Sequence, residues 1–113
     1  MRVTVCETPS YLDDAVSIFK ESERSGIVDY LSFFPRSGAI MVGTGSVRKL
    51  RWAIEGKGKS GGARIVYYFH SDRLPVYLLA VFGKNEKANL AKSERNELAK
   101  LTKVLGQIEP KGK

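Results

Sequence analysis

The chain is short of the residues from which many active sites are built. It has one cysteine, Cys6, and one histidine, His70. A lone cysteine excludes an internal disulfide, which suits a reducing compartment. Without a second cysteine or histidine there is no zinc-ligand pair, and a ribonuclease that works with two histidines is excluded. No Ser–His–acid arrangement stands out. Long hydrophobic runs are missing too, since none nears the ~18 residues of a membrane span. The opening Met1-Arg2-Val3-Thr4-Val5-Cys6 meets Glu7 too soon for a signal peptide, so a cytoplasmic location without a membrane partner is expected.

Acid is also scarce relative to base. Nineteen Lys and Arg face twelve Asp and Glu, a net charge of +7. Such a balance makes a polyanion the default partner. The excess is uneven. Residues 1–35 are net acidic, whereas residues 36–73 hold eight basic side chains against Glu55 and Asp72. With 113 residues, 42% hydrophobic and 27% charged, the chain fits one globular domain over residues 1–113.

The periodicity changes along the chain. Val3 to Cys6 has a short β-branched pattern of a first strand. Thr8-Pro9 reads as a helix N-cap and first helical position, followed by Leu12, Ala15, Val16 and Phe19 at helical spacing. Ser25-Gly26 predicts a break or a new cap, and Ile27, Tyr30, Leu31 and Phe34 a second helix closed by Pro35. Gly43 to Ser46 reads as a loop. Leu50, Trp52 and Ile54 then alternate with Lys49, Arg51 and Ala53, a strand with one buried and one wet face. Glu55 to Gly62 predicts a glycine-rich hairpin tip, and Ala63 to Phe69 a second strand. Asp72 to Pro75 is a turn, and the uncharged Val76 to Phe82 predicts a central third strand. Ser93 to Leu105 predicts a C-terminal helix. The expected class is α+β: a small antiparallel sheet with two N-terminal helices and a C-terminal helix, its other face free for polar groups.

Alternation places Lys49 and Arg51 on one face, and Arg64, Val66, Tyr68 and His70 together on the next strand. Lys57 and Lys59 lie in the glycine-rich hairpin and Lys84 closes the third strand. A cationic, aromatic-lined surface of this kind binds phosphates and stacks unpaired bases. Gly56 to Gly61 matches G-x-G-x-x-G, but a dinucleotide fingerprint opens a helix and here a strand follows. Gly58-Lys59-Ser60 is no P-loop end, because the first glycine of that motif would fall on Ala53.

Three blocks carry a family resemblance: Gly45-Ser46-Val47-Arg48-Lys49-Leu50-Arg51-Trp52, Gly56-Lys57-Gly58-Lys59-Ser60-Gly61-Gly62-Ala63-Arg64, and Gly83-Lys84-Asn85-Glu86-Lys87-Ala88-Asn89-Leu90. Together they resemble the RelE superfamily of bacterial toxins, nearest its HigB-type branch, over almost the whole chain. The resemblance implies the toxin of a type II toxin–antitoxin pair. Such a toxin enters the A site of the 70S ribosome and cleaves mRNA without a metal or cofactor, by attack of a ribose 2′-hydroxyl on the adjacent phosphate. It also implies contacts with ribosomal RNA and a cognate antitoxin, often a helix-turn-helix protein.

By the same resemblance, Lys57, Lys59, Arg64 and Lys84 form the catalytic set. Arg48, Lys49, Arg51, Tyr68, His70, Asn85 and Lys87 bind RNA. Two departures stand out: no tyrosine follows Tyr77, where relatives place a catalytic one, and Ala91 replaces a Ser or Thr helix cap. The general base stays open. So do two other functions on the same scaffold, a ribosome- or RNA-binding inhibitor that does not cut and a gyrase poison.

Overall fold

The structure, a computed structural model, describes residues 2–41, 44, 46–54, 58–83, 100 and 103, with only the backbone of 58–61. The order is β1 (Val5–Glu7), α1 (Pro9–Ile18), α2 (Glu21–Phe33), β2 (Ala39–Ile40), β3 (Val47–Ile54), β4 (Gly58–Tyr68) and β5 (Val76–Gly83). The expected helix from Ser93 lies outside the described residues, apart from Lys100 and Lys103, which are helical.

The first helix starts where the residue types require. Thr8 Oγ1 accepts a hydrogen bond from the Tyr11 N–H at 3.3 Å, and Pro9 takes the first helical position, where no amide donor is needed. The same hydroxyl donates to the Leu78 carbonyl at 2.6 Å, which ties the helix start to β5. Helix α2 begins earlier than the Ser25-Gly26 signal predicts. The Lys20 N–H donates to Glu23 Oε1 at 2.8 Å, and the Glu23 N–H donates back to the Lys20 carbonyl at 3.0 Å. These bonds satisfy the exposed end of the helix and outweigh the ~1 kcal/mol a glycine costs in its interior. Gly26 faces Trp52 there, and a Cβ would lie 4.0 Å from that ring.

The five strands lie in the order β1-β5-β4-β3-β2. The sheet is mixed and not purely antiparallel, because β1 runs parallel to β5, with Val5 opposite Val76. The two helices between β1 and β2 form the long connection that carries the chain from one sheet edge to the other. The uncharged β5 is internal, as its composition predicts. The glycine-rich segment is not all turn: β4 begins at Gly58, paired with Ile54, and the register slips before Ala63 pairs with Trp52. Such a slip is where a strand absorbs extra residues as a bulge.

Each sheet face has its own apolar cluster. Tyr11, Ala15, Phe19, Ile27 and Leu31 from the helices pack on Ala63, Ile65, Tyr67, Phe69, Val76, Leu78 and Val81. Val16, expected on the inner stripe, is 62% exposed. The other face is free for polar groups only in part: Met41, Val47, Val66, Tyr68, Leu79 and Phe82 are buried there. An uncharged strand has apolar residues on both faces, so both need cover.

Two buried tyrosines on the helix side behave differently. The Tyr67 hydroxyl accepts from the Gly38 N–H and donates to the Pro35 carbonyl, both at 2.8 Å. The Tyr11 hydroxyl has no hydrogen-bond partner among the described residues, and burial, with the Glu7 charge, pushes its pKa up to about 12. Burial raises Tyr67 as well. Each phenol is therefore harder to ionise in the fold than in the unfolded chain, so stability holds below pH 10 and falls as pH climbs from 10 towards 12. Urea midpoints are therefore expected to fall between pH 9.5 and 11.5. Tyr11→Phe should flatten that fall and leave neutral-pH stability equal or higher, because it removes an unpaired buried hydroxyl.

Candidate nucleic-acid interface

The hairpin β3–β4 builds a cationic strip on the face away from the helices. Along β3, Leu50, Trp52 and Ile54 pack towards the helices, so Lys49 and Arg51 take the opposite face with Val47. Along β4, Ile65 and Tyr67 point to the helices and Arg64, Val66 and Tyr68 do not. Register then sets the pairs: Lys49 faces Val66, and Arg51 stands directly opposite Arg64. Arg64 in turn pairs with Phe82 on β5, whose buried ring backs this end of the strip.

Two like charges directly opposed across antiparallel strands oppose folding. Among the described residues, no hydrogen bond or ion pair joins the side chain of Arg51 or Arg64 to another group. Arg51 is exposed and Arg64 half-buried. Two guanidiniums carried by facing residues, with no anion beside them among the described residues, suit phosphate oxygens, which each can meet with two parallel N–H bonds. The same donors favour an oxyanion that gains charge during phosphoryl transfer.

The other expected contacts are distributed unevenly. His70 is exposed just beyond β4, its ring parallel to that of Tyr68 at 6.2 Å. Tyr68 itself is only 1% exposed, so its ring supports the surface and offers no face to a base. Arg48, expected in the RNA-binding set, sits on the other side of β3. Its guanidinium donates to the carbonyls of Arg36 at 3.0 Å and Gly38 at 2.7 Å, fastening the loop between α2 and β2 to the sheet. Its Nε is buried without a hydrogen-bond partner among the described residues. The backbone of Lys59 lies in the slipped stretch between the Ile54–Gly58 and Trp52–Ala63 pairs. Lys57, Lys84, Asn85 and Lys87 lie outside the described residues. Sequence reasoning did not place Tyr77, a half-buried ring 6.4 Å from Tyr68, on this face, because the uncharged strand that carries it has no polar alternation to mark its faces.

Among the described residues, no three His, Cys, Asp or Glu side chains group to hold a metal ion. No helix among them is long and apolar enough to cross a membrane. A family model described as the RelE toxin of the RelE / RelB toxin-antitoxin system matches residues 38–111. The match takes in β2 to β5, and with them Lys49, Arg51 and Arg64.

Proposed function

The chain belongs to the RelE family of toxins from toxin–antitoxin systems, and from that premise we propose that it is a ribosome-dependent endoribonuclease of the HigB-like kind that cuts mRNA in the A site. Toxins of this family are generally mRNA-cleaving, and the Arg51–Arg64 pair, which meets no acidic partner among the described residues, is the observation that carries the reading to this chain. In the reaction, a ribose 2′-hydroxyl loses its proton and attacks the neighbouring phosphate, the bond from phosphorus to the 5′-oxygen of the next nucleotide breaks, and that oxygen takes up a proton, leaving a 2′,3′-cyclic phosphate and a 5′-hydroxyl. Arg64 and Arg51 hold the phosphate oxygens and oppose the charge that builds on them. Lys49 adds a third cation on the same face, while Lys57, Lys59 and Lys84 complete the catalytic set and His70, Asn85 and Lys87 the RNA contacts. Only RNA has the attacking hydroxyl, so DNA of the same sequence is inert.

The test is mRNA integrity in a purified translation mixture. Truncated message only when toxin and ribosomes are both present supports the reading. Arrested translation over intact message would replace it with a non-cutting inhibitor, and induction of DNA damage on expression would point to gyrase. Binding should also carry an electrostatic signature. Arg51→Ala is expected to lower affinity for programmed ribosomes and to reduce the slope of log affinity against log salt by roughly 0.7, the share of one phosphate contact on a single strand. A slope unchanged over a salt titration would remove Arg51 from the contact.

A further inference from the structure

The cationic strip ends in rings. Running from the Ile54–Gly58 pair, the face away from the helices carries Arg51 opposite Arg64, then Lys49 opposite Val66, then Val47 opposite Tyr68. Beyond Tyr68 the turn before β5 holds one exposed acid, Asp72, and one exposed base, Arg73. The arginine end of the face therefore offers cations, and the far end offers aromatic surface without a net charge.

Tyr77 reaches this face only through an irregularity of β5. Leu78 and Val81 pack with the helices, while Tyr77, Ala80 and Phe82 border the opposite cluster. On a regular strand Tyr77 and Phe82, an odd number of residues apart, would lie on opposite faces. The register slips instead: Val66 stands opposite Ala80, but Tyr67 opposite Leu78. Leu79 is the extra residue, and the bulge brings Tyr77 round to the face of Arg64. Bulges of this kind gather beside functional sites, where they re-aim a side chain.

Tyr68 is the floor of a group of three rings. Tyr77 pairs with it across the ladder, their centroids 6.4 Å apart, and the His70 ring lies parallel to it at 6.2 Å. The floor is buried, Tyr77 is half-buried and His70 is exposed. Rings so placed stack unpaired bases, because every base has an apolar π-face. Tyr68 stands four residues along β4 from Arg64, ~13 Å at the rise of a strand. Stacked neighbours in one nucleic-acid strand are only ~3.4 Å apart. A phosphate at Arg64 and a base at the rings thus belong to a splayed strand, or to two strands.

We propose that Tyr77 and His70, backed by Tyr68, form a subsite for one unstacked RNA base at the end of the strip far from Arg51 and Arg64. The subsite rests on the reading of the strip as an RNA interface. It governs affinity and base preference without touching the reacting phosphate. A splayed base of the message and an unpaired base of ribosomal RNA present the same chemistry to it.

The test is titration of the full-length toxin onto ribosomes programmed with a defined mRNA whose A-site sugars are 2′-deoxy, so that it binds without being cut. Tyr77→Leu keeps apolar bulk and removes the ring. It is expected to weaken binding by roughly 5–100-fold, the loss of one base stack, with a thermal midpoint near that of the parent. Tyr77→Phe keeps the ring and should bind as the parent does. His70→Ala should lose roughly 3-fold or more, and carries the test if Tyr77→Leu fails to fold.

Abasic sites placed one at a time in the message identify the source of the base. A position whose loss weakens the parent but not Tyr77→Leu supplies the base from mRNA. Equal sensitivity at every position, with a ribosomal base protected from chemical modification by the parent and not by Tyr77→Leu, assigns it to ribosomal RNA. Parental affinity in well-folded Tyr77→Leu and His70→Ala would overturn the subsite, and the cleavage reading would stand if message with ordinary sugars is still cut. A loss in Tyr77→Phe equal to that in Tyr77→Leu would overturn the stack, and so would a loss that no base shares. Absence of parental binding to programmed ribosomes would overturn both readings. The expected losses on a message that stays intact with ordinary sugars would sustain the subsite and remove the cleavage.

Discussion

Arg64→Ala is expected to cut the rate of mRNA cleavage on the ribosome by roughly 100–1,000-fold, the usual loss when one preorganised donor to a developing oxyanion is removed. The physical basis is its place in the sheet. Arg64 stands opposite Arg51, with the buried Phe82 as its other neighbour, so its guanidinium is directed by two strands. Stability should move the other way. The substitution relieves the repulsion between facing guanidiniums, so the thermal midpoint is expected to hold or rise slightly. Arg64→Lys should recover only part of the rate, since an ammonium keeps the charge but loses the planar two-bond grip. Single-turnover cleavage on programmed ribosomes, beside thermal unfolding of each variant, checks all three expectations. Full activity in Arg64→Ala would take this residue out of the mechanism.

Gly38→Ala is expected to be the most damaging small change to stability, about 3 kcal/mol or more. An added Cβ would lie 2.8 Å from the Tyr67 hydroxyl, 2.9 Å from its Cε1 and 3.0 Å from the Lys49 carbonyl oxygen. Neither a buried ring nor a strand carbonyl yields at low cost. Displacing the loop also breaks the 2.8 Å bond from the Gly38 N–H to Tyr67 and disturbs the Gly38 carbonyl that Arg48 grips. For a chain of this size the midpoint should drop by on the order of 10 °C. Tyr67→Phe tests the same knot without the clash. It leaves the Gly38 amide and the Pro35 carbonyl unpaired and should cost about 2–4 kcal/mol. Because Lys49 belongs to β3, loosening this knot is expected to lower activity in step with stability. Midpoints unchanged in both variants would show that the loop is not fastened as described.

Alternation made the hairpin legible before any coordinates. Period two along Lys49 to Ile54 and Ala63 to Phe69 assigned Arg51 and Arg64 to one face, and register supplied the pairing. Period alone does not report depth. Tyr68 shares the face of Arg64 but lies under it, because Val47, Leu79 and Phe82 make that end of the face a second core. Arg48 had the parity of Leu50 and Trp52, yet its grip on two loop carbonyls has no local sequence signature. The β-branched run at Val3 to Cys6 signalled β1 but not its parallel pairing with β5, and the two-residue β2 is too short for any pattern. The glycine signals misled twice. Gly26 is tolerated inside α2, where it faces Trp52, and Gly58 starts a strand that strand pairing stabilises despite its poor propensity.

The most direct test of the central claim is to map the 5′ ends of a defined mRNA by primer extension after adding the toxin to ribosomes stalled at a known codon. Parallel reactions use Arg64→Ala and ribosome-free mRNA. The account predicts new ends at the A-site codon that require both the ribosome and Arg64. Intact message under arrested translation, or equal cutting by parent and variant, would contradict it.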